Sequence, residues 1–317
     1  MNTTEKVIFE QFPYWEQAIG SNSATDRAEL LVFVGCGTSF NLALSLAAYS
    51  NMAGHKAIAV PGAEWQNRPH AFWPDWRNTH VVALSRSGET TETVAAARAS
   101  RASGAFVTAI TVEPASSLAK NCDRLIAAET HPDEGIVMTV SASLMVLLGL
   151  QMIGQEIPSS TVDHAGRLVG ALDAILPEVI AGRSHFVFLG GGPLFGIALE
   201  GALKLMEMSQ IMTQAFHPLE YRHGPISLVD NNTAVVMLYS SDQEEAEAKL
   251  VDELREKGAI VIGIGGPGDV ELAVDVDLSL AGLVVLPALQ ILGERAAQAR
   301  QIDTVSPRHL TKVVKLA

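Results

Sequence analysis

The sequence predicts an α/β protein built as two tandem doubly wound parallel sheets. Three observations carry this. The 317 residues suffice for two domains of ~150 residues each. Apolar, β-branched strands alternate with helical stretches, as in parallel sheets covered on both faces. One pattern of strand, glycine-rich turn and helix occurs twice, 155 residues apart, taking Gly35 onto Gly190.

Taken in order, MNTTEKVIFEQFPYWEQ carries acids and no apolar h-region, so it does not read as a secretory leader. Residues 1–27 are expected to form a helical arm. The first half, 28–157, opens with LLVFVGCGTSF, a strand running into a turn and helix, followed by the strands HVVALS, FVTAITV and RLIAA (124–128). The uncharged run Gly135–Gln155 contains Thr139, Ser141, Ser143, Gln151 and internal glycines and lacks basic flanks. It reads as a buried core helix and not as a membrane span. A polar, helical connection follows, with 158–178 as linker. The second half, 179–304, repeats the order with HFVFLGGGPLF, AVVMLYS, AIVIGIG and VDLSL (276–280). The 155-residue offset takes Ser85 onto Ser240 and Ala109-Ile110 onto Ile264-Gly265. A basic tail, 305–317, carries Arg308, Lys312 and Lys315.

The composition, 48% hydrophobic and 18% charged, supplies ample core and argues against disorder. The balance of 22 basic against 35 acidic side chains gives a net charge of −13, which repels phosphodiester backbones and anionic lipid. Neither nucleic acid nor membrane is expected as a partner. With only Cys36 and Cys122 there is no disulfide framework or zinc motif, so a reducing, cytoplasmic compartment and no metal are expected.

In open parallel sheets ligands bind beyond the carboxyl ends of the strands, where the glycine turns lie. In the first half two such turns, Gly35-Cys36-Gly37-Thr38-Ser39 and Ser85-Arg86-Ser87-Gly88-Glu89-Thr90, open adjacent helices. Glycines admit close backbone approach, and helix starts present unpaired N–H groups. Thr38, Ser39, Ser85, Ser87 and Thr90 add hydroxyl donors suited to a phosphate monoester. Helix capping by the same residues is the plainer reading. In the second half the corresponding turn is Ser240-Ser241-Asp242-Gln243-Glu244-Glu245, hostile to a phosphate, so the anion site is expected in the first half alone. Phe40 and Phe195 stand where a third dinucleotide-turn glycine is wanted, and no Walker lysine is present, so no nucleotide or other cofactor is expected.

The groups suited to proton transfer lie in the second half. In IALEGALKLMEMSQIM, Glu200, Lys204 and Glu207 fall at i, i+4 and i+7 on one helical face. His223 precedes a Gly-Pro turn, and His217 is a weaker candidate.

Together GCGTS, SxSGET, ALEGALKLxE, Glu-x-x-His-Gly-Pro and a terminal PRxLxK resemble the tandem sugar isomerase (SIS) domain family, flavodoxin-like in fold. The pattern resembles the isomerase half of glutamine–fructose-6-phosphate aminotransferase, and it extends over nearly the whole chain from about residue 30. The resemblance implies aldose–ketose chemistry on a hexose 6-phosphate. Thr38, Ser39, Ser85, Ser87 and Thr90 would hold the phosphate, with Cys36, Gly37, Arg86 and Glu200 also in the substrate site. Glu207 would move a proton between C1 and C2, and His223 would assist ring opening across a dimer interface. Lys204 would stabilise the enediol(amine), with Lys312 near the open-chain carbonyl. A homodimer with shared sites is therefore expected.

Three features depart from that pattern. The sequence shows no glutaminase segment or residue-2 cysteine, so ammonia is not expected to come from glutamine. Arg86 replaces an uncharged Gln, and could meet a second carboxylate or strengthen the phosphate site. Glu134-Gly135-Ile136-Val137-Met138-Thr139-Val140 matches a V-A-S-T-K segment loosely and lacks its lysine. The expected activity is isomerisation or deamination of an amino sugar 6-phosphate or fructosamine 6-phosphate, including a deglycase variant. A plain aldose–ketose phosphate isomerase and a non-catalytic sugar-phosphate sensor are the alternatives.

Overall fold

A computed structural model describes residues 1–25 and 29–315. The first sheet contains β1 (Leu31–Gly35), β2 (Ala57–Pro61), β3 (His80–Leu84), β4 (Phe106–Thr111) and β5 (Arg124–Ala127), in the order β2-β1-β3-β4-β5. The second contains β6 (His185–Gly190), β7 (Thr213–Phe216), β8 (Thr233–Leu238), β9 (Ile260–Ile264) and β10 (Val270–Leu272), in the order β7-β6-β8-β9-β10. Every neighbouring pair is parallel. The two sheets share one topology, and both are α/β as expected. In each, strand order reverses at the first strand, so the crevice for a ligand opens between β1 and β3, and between β6 and β8.

Among the described residues the helices are α1 (Thr3–Phe9), α2 (Phe12–Ala18), α3 (Thr38–Met52), α4 (Gly62–Asn67), α5 (Thr91–Ala102), α6 (Val140–Met152), α7 (Ser160–Val179), α8 (Leu194–Ser209), α9 (Glu244–Glu256) and α10 (Leu278–Ala299). The central strands β1 and β3 are buried throughout, which accounts for their unbroken apolar runs. On one face of the first sheet Val32, Val34, Val81, Ala83 and Val107 pack with Trp65 of α4 and Ala96 and Ala97 of α5. In the second sheet Val187, Leu189, Val235 and Val261 pack with Leu250, Val251 and Leu254 of α9. Each such large side chain contributes about 1.5–3 kcal/mol when fully buried.

The chain divides into two units: Glu10–Ser159 with the chain from His309 onward, and Met1–Phe9 with Ser160–Arg308. The arm is shared, with α1 beside α10 in the second-sheet unit and α2 beside α6 in the first. Ser143 on α6 donates to Gln11 Oε1 (2.8 Å) and accepts from Trp15 Nε1 (2.8 Å), and Gln151 donates to Ala18 O (3.1 Å). The polar residues inside the uncharged run are therefore docking points for α2, and α6 is the buried helix expected there. The connection expected at 158–178 is helical: α7, whose buried Val162, Ala165, Val169, Leu172 and Leu176 follow helical spacing, is packed beside α10.

Two corrections concern the repeat. VDLSL is not a strand: Asp277 is the N-cap of α10, and the last strand lies earlier, at Val270–Leu272. The register also slips. Val34 pairs with Ala83 and Leu189 with Met237; Leu84 pairs with Ile110 and Leu238 with Ile264. The first strands correspond at an offset of 155, but the next two at 154, so Ser85 matches Tyr239 and Arg86 matches Ser240. A strand buried on both faces has no polar alternation to mark its register, so the sequence pattern could not detect the missing residue.

α10 is long and apolar enough to cross a membrane, and 94% of its most apolar window is buried inside the protein. It is the core helix of the second-sheet unit.

Candidate active site

The first-sheet crevice is flanked by the two turns singled out in the sequence. β1 runs straight into α3, and a Cβ on Gly35 would lie 2.6 Å from the Ser39 backbone. Gly37, with φ of 56°, is the N-cap of α3. Thr38 and Ser39 therefore sit in the first turn of α3, not at its cap, and are buried. At the end of β3, Ser85 Oγ accepts from the Gly88 amide (3.1 Å) and donates to Thr90 Oγ1 (3.4 Å). Thr90 is the N-cap of α5 but makes no side-chain capping bond. Ser87 Oγ likewise accepts from the Glu89 amide (3.2 Å), so Ser85 and Ser87 bond backbone within their own turn. Gly88 is obligatory here: its φ is +60° and a Cβ would lie 2.0 Å from Ser116 Oγ.

Cys36 lies in the same crevice, its Sγ 3.5 Å from Thr93 Oγ1. Burial, with help from Glu92, pushes the thiol above its ordinary range, against the Thr93 and Gly62 hydrogen bonds. It remains a neutral thiol at pH 7.

Arg86 is engaged with backbone carbonyls. Its buried guanidinium donates to Gly135 O (3.0 Å), Ile136 O (2.8 Å) and Lys312 O (2.9 Å). The Lys312 ammonium in turn donates to Glu134 O (2.9 Å). A cavity of about 460 Å³ lies here, lined in part by Arg86, Ser87, Glu89, Glu113, Glu134 and Lys312.

Glu134 was not singled out by sequence reasoning. Its buried Oε1 accepts from the backbone N–H of Thr139 (2.6 Å) and Ser141 (3.0 Å) and from both their hydroxyls, and Oε2 accepts from Thr130 (2.9 Å). This carboxylate fixes the loop that leads into α6. A glutamate followed by hydroxyl residues at the start of an apolar helix was the available signal.

The second-sheet crevice holds a carboxylate of its own. Glu247 on α9 accepts from the Ser240 backbone N–H (2.9 Å) and from Ser240 Oγ (3.0 Å). Its Oε1 also lies 3.6 Å from where a Cβ on Gly191 would stand. Burial, and then the neighbouring Asp242 and Glu244, push this carboxyl upward against the two Ser240 hydrogen bonds. The second-sheet crevice thus carries a buried carboxylate bonded to its own turn.

α8 brings Glu200, Lys204 and Glu207 together. Glu200 and Lys204 are buried, with Lys204 Nζ 3.5 Å from Glu200 Oε1 and 2.5 Å from Glu207 Oε2. The Glu207 side chain is 22% exposed, so this acid faces outward from the cluster. Gly201 permits close packing, since a Cβ there would lie 2.7 Å from Leu289 Cδ1 and 2.9 Å from the Phe188 ring. His223 is exposed after a short 3₁₀ turn and followed by Gly224 at φ 128°. His217 stacks on Phe195 of α8 at 3.9 Å between ring centroids. Among the described residues no group of three or more His, Cys, Asp or Glu is arranged to hold a metal ion.

Comparisons with known proteins agree with this architecture. The SIS domain profile matches residues 27–152 and 179–282. The glutamine–fructose-6-phosphate aminotransferase of Symbiobacterium thermophilum is 30% identical over 334 residues, covering 93% of this chain and 53% of that protein. That of Sulfurisphaera tokodaii is 26% identical over 91% of this chain and 50% of its own length. The chain spans about half the length of these curated relatives. Among solved structures, a glucosamine-6-phosphate deaminase from Thermotoga maritima superposes with a TM-score of 0.88 at 33% identity, covering 99% of this chain and 100% of that one. A tagatose-6-phosphate ketose/aldose isomerase from Escherichia coli shares the fold, with a TM-score of 0.80 at 22% identity over 94% of this chain and 93% of that one.

Proposed function

The chain belongs to the SIS domain family, within the phosphosugar isomerases and deaminases, and from that premise we propose that it deaminates a 2-amino-aldose 6-phosphate. The observation that carries the reading is the α8 cluster, a buried lysine holding a partly exposed carboxylate at 2.5 Å. Such a pair offers one acid–base group and one fixed cation, which is what proton transfer between adjacent carbons requires.

The phosphate is gripped by Thr38, Ser39, Ser85, Ser87 and Thr90 at the starts of α3 and α5, with Cys36 and Gly37 shaping the turn. His223 protonates the ring oxygen as the C1 hydroxyl releases its own proton, opening the sugar to its C1 aldehyde and acting across the interface of a homodimer. Glu207 removes the C2 proton, giving an enolamine, and returns it to C1, while the C1 oxygen takes up a proton. C1 is thereby reduced to an alcohol, the nitrogen gives up one proton for the one the C1 oxygen gains, and C2 becomes a ketimine. Water adds to the ketimine and expels ammonia, so that amino sugar phosphate and water give ketose phosphate and ammonia. Lys204 offsets the negative charge of the enolamine oxygen, Glu200 fixes Lys204, and Lys312 stands by the open-chain carbonyl. No step needs a cofactor, and the reaction suits a cytoplasmic enzyme.

Incubation with a panel of hexosamine 6-phosphates and fructosyl-amino-acid 6-phosphates, following ammonia, amine and ketose, tests this. Stoichiometric ammonia and ketose from a hexosamine 6-phosphate is the expected outcome. Binding of these compounds with turnover of none of them would overturn the assignment.

A further inference from the structure

We infer that Arg86 is a positioning residue for the C-terminal segment, not a ligand for the substrate's phosphate. The inference rests on the proposed phosphate site to the extent that Arg86 sits between Ser85 and Ser87, in the turn assigned to that anion. Its position suggests a phosphate ligand, since arginine pairs readily with phosphate. The geometry points elsewhere. The guanidinium is a planar fork of five N–H donors, and it is directed at three backbone carbonyls from two separate segments, Gly135 and Ile136 before α6 and Lys312 in the tail.

The surroundings form a single strap. Lys312 presents its carbonyl to Arg86 and its ammonium to Glu134 O, so one tail residue is held at both its backbone and its side chain. The Glu134 carboxylate pins the loop receiving these bonds, through Thr130, Thr139 and Ser141. Further along, Lys315 lies 3.5 Å from Glu89, whose carboxylate accepts from the Ser117 backbone N–H and hydroxyl. That exposed pair contributes little by itself. The buried arginine is the member whose hydrogen bonds water cannot easily replace. It fixes Lys312, and with it the lysine that the proposed chemistry places at the open-chain carbonyl.

Two substitutions separate this role from phosphate binding. Arg86→Gln removes the charge and the fork; Arg86→Lys keeps the charge but gathers its donors on one nitrogen in place of the two the guanidinium uses. Amide hydrogen exchange across residues 309–315 and the Kd for inorganic phosphate are measured on both, with Ser87→Ala as reference for the phosphate site. In both Arg86 variants, tail exchange should rise at least tenfold and phosphate Kd should change less than twofold. Ammonia release should fall mainly through kcat. If tail exchange does not rise in Arg86→Gln, or if Arg86→Gln weakens phosphate more than tenfold while Lys does not, the positioning role is wrong. If Ser87→Ala leaves phosphate binding intact, the phosphate assignment fails, while the tail measurement still stands. Should Arg86→Gln not fold, Arg86→Lys carries both readouts alone.

Discussion

The Lys204 ammonium lies 2.5 Å from the Glu207 carboxylate, with Glu200 3.5 Å away on its other side and both inner members fully buried. One cation is thus shared between a carboxylate sealed in the core and another that faces outward. Lys204→Met removes the positive charge beside a buried acid, which typically costs 3–5 kcal/mol. Urea unfolding of the variant should show a loss of about that size. The double variant Glu200→Gln/Lys204→Met should recover much of it, whereas a merely superficial i, i+4 pair would cost under ~0.5 kcal/mol.

The two crevices make an internal experiment. Ser87→Ala should weaken binding of a hexose 6-phosphate about tenfold or more, as expected for one lost hydrogen bond to a charged group, ~1.5–3 kcal/mol. Ser241→Ala, its counterpart in the second repeat by the observed register, should leave affinity unchanged. Isothermal titration of both variants checks this. Equal effects would mean that the anion site is not confined to the first sheet.

Glu247 predicts a pH signature. Its carboxyl is raised in the folded state, so the native protein holds this proton to higher pH than the unfolded chain does. Its contribution is greatest at low pH and declines as pH rises from the ordinary carboxylate range through the raised folded value. Glu247→Gln keeps an acceptor for Ser240 and abolishes the titration. Denaturant midpoints from pH 4 to 8 should show that the variant gains on the parent as pH rises.

His80 works in the opposite sense. Burial, reinforced by Arg124, holds its imidazole down to about 4 despite Asp123. Its ring bonds Thr108 Oγ1 at 2.8 Å. The unfolded chain therefore takes up the proton first as pH falls. Stability present above about pH 6.5 should decline toward pH 4, by roughly 3 kcal/mol if this group acts alone. His80→Gln should flatten that window in urea titrations.

What the sequence disclosed and what it withheld follow one physical division. Strand runs, glycine turns and the Glu200–Lys204–Glu207 spacing are local patterns, and they correctly gave two α/β sheets and brought those three side chains together. The partners of Arg86 lie 49, 50 and 226 residues away, and no local pattern encodes them. The one-residue slip between β3 and β8 was hidden because strands buried on both faces carry no alternation. The α7 segment reads as helical from sequence alone. Its apolar stripe is plain in the sequence, whereas its packing beside α10 is a tertiary fact.

The most direct measurement uses an amino sugar 6-phosphate carrying deuterium at C2, turned over by the parent protein and by Glu207→Gln. The parent should release ammonia with a primary isotope effect. The variant should lose ~10²–10⁴-fold in kcat while retaining phosphate affinity within twofold. Normal turnover by the variant would contradict the assignment of the C1–C2 proton transfer to this carboxylate.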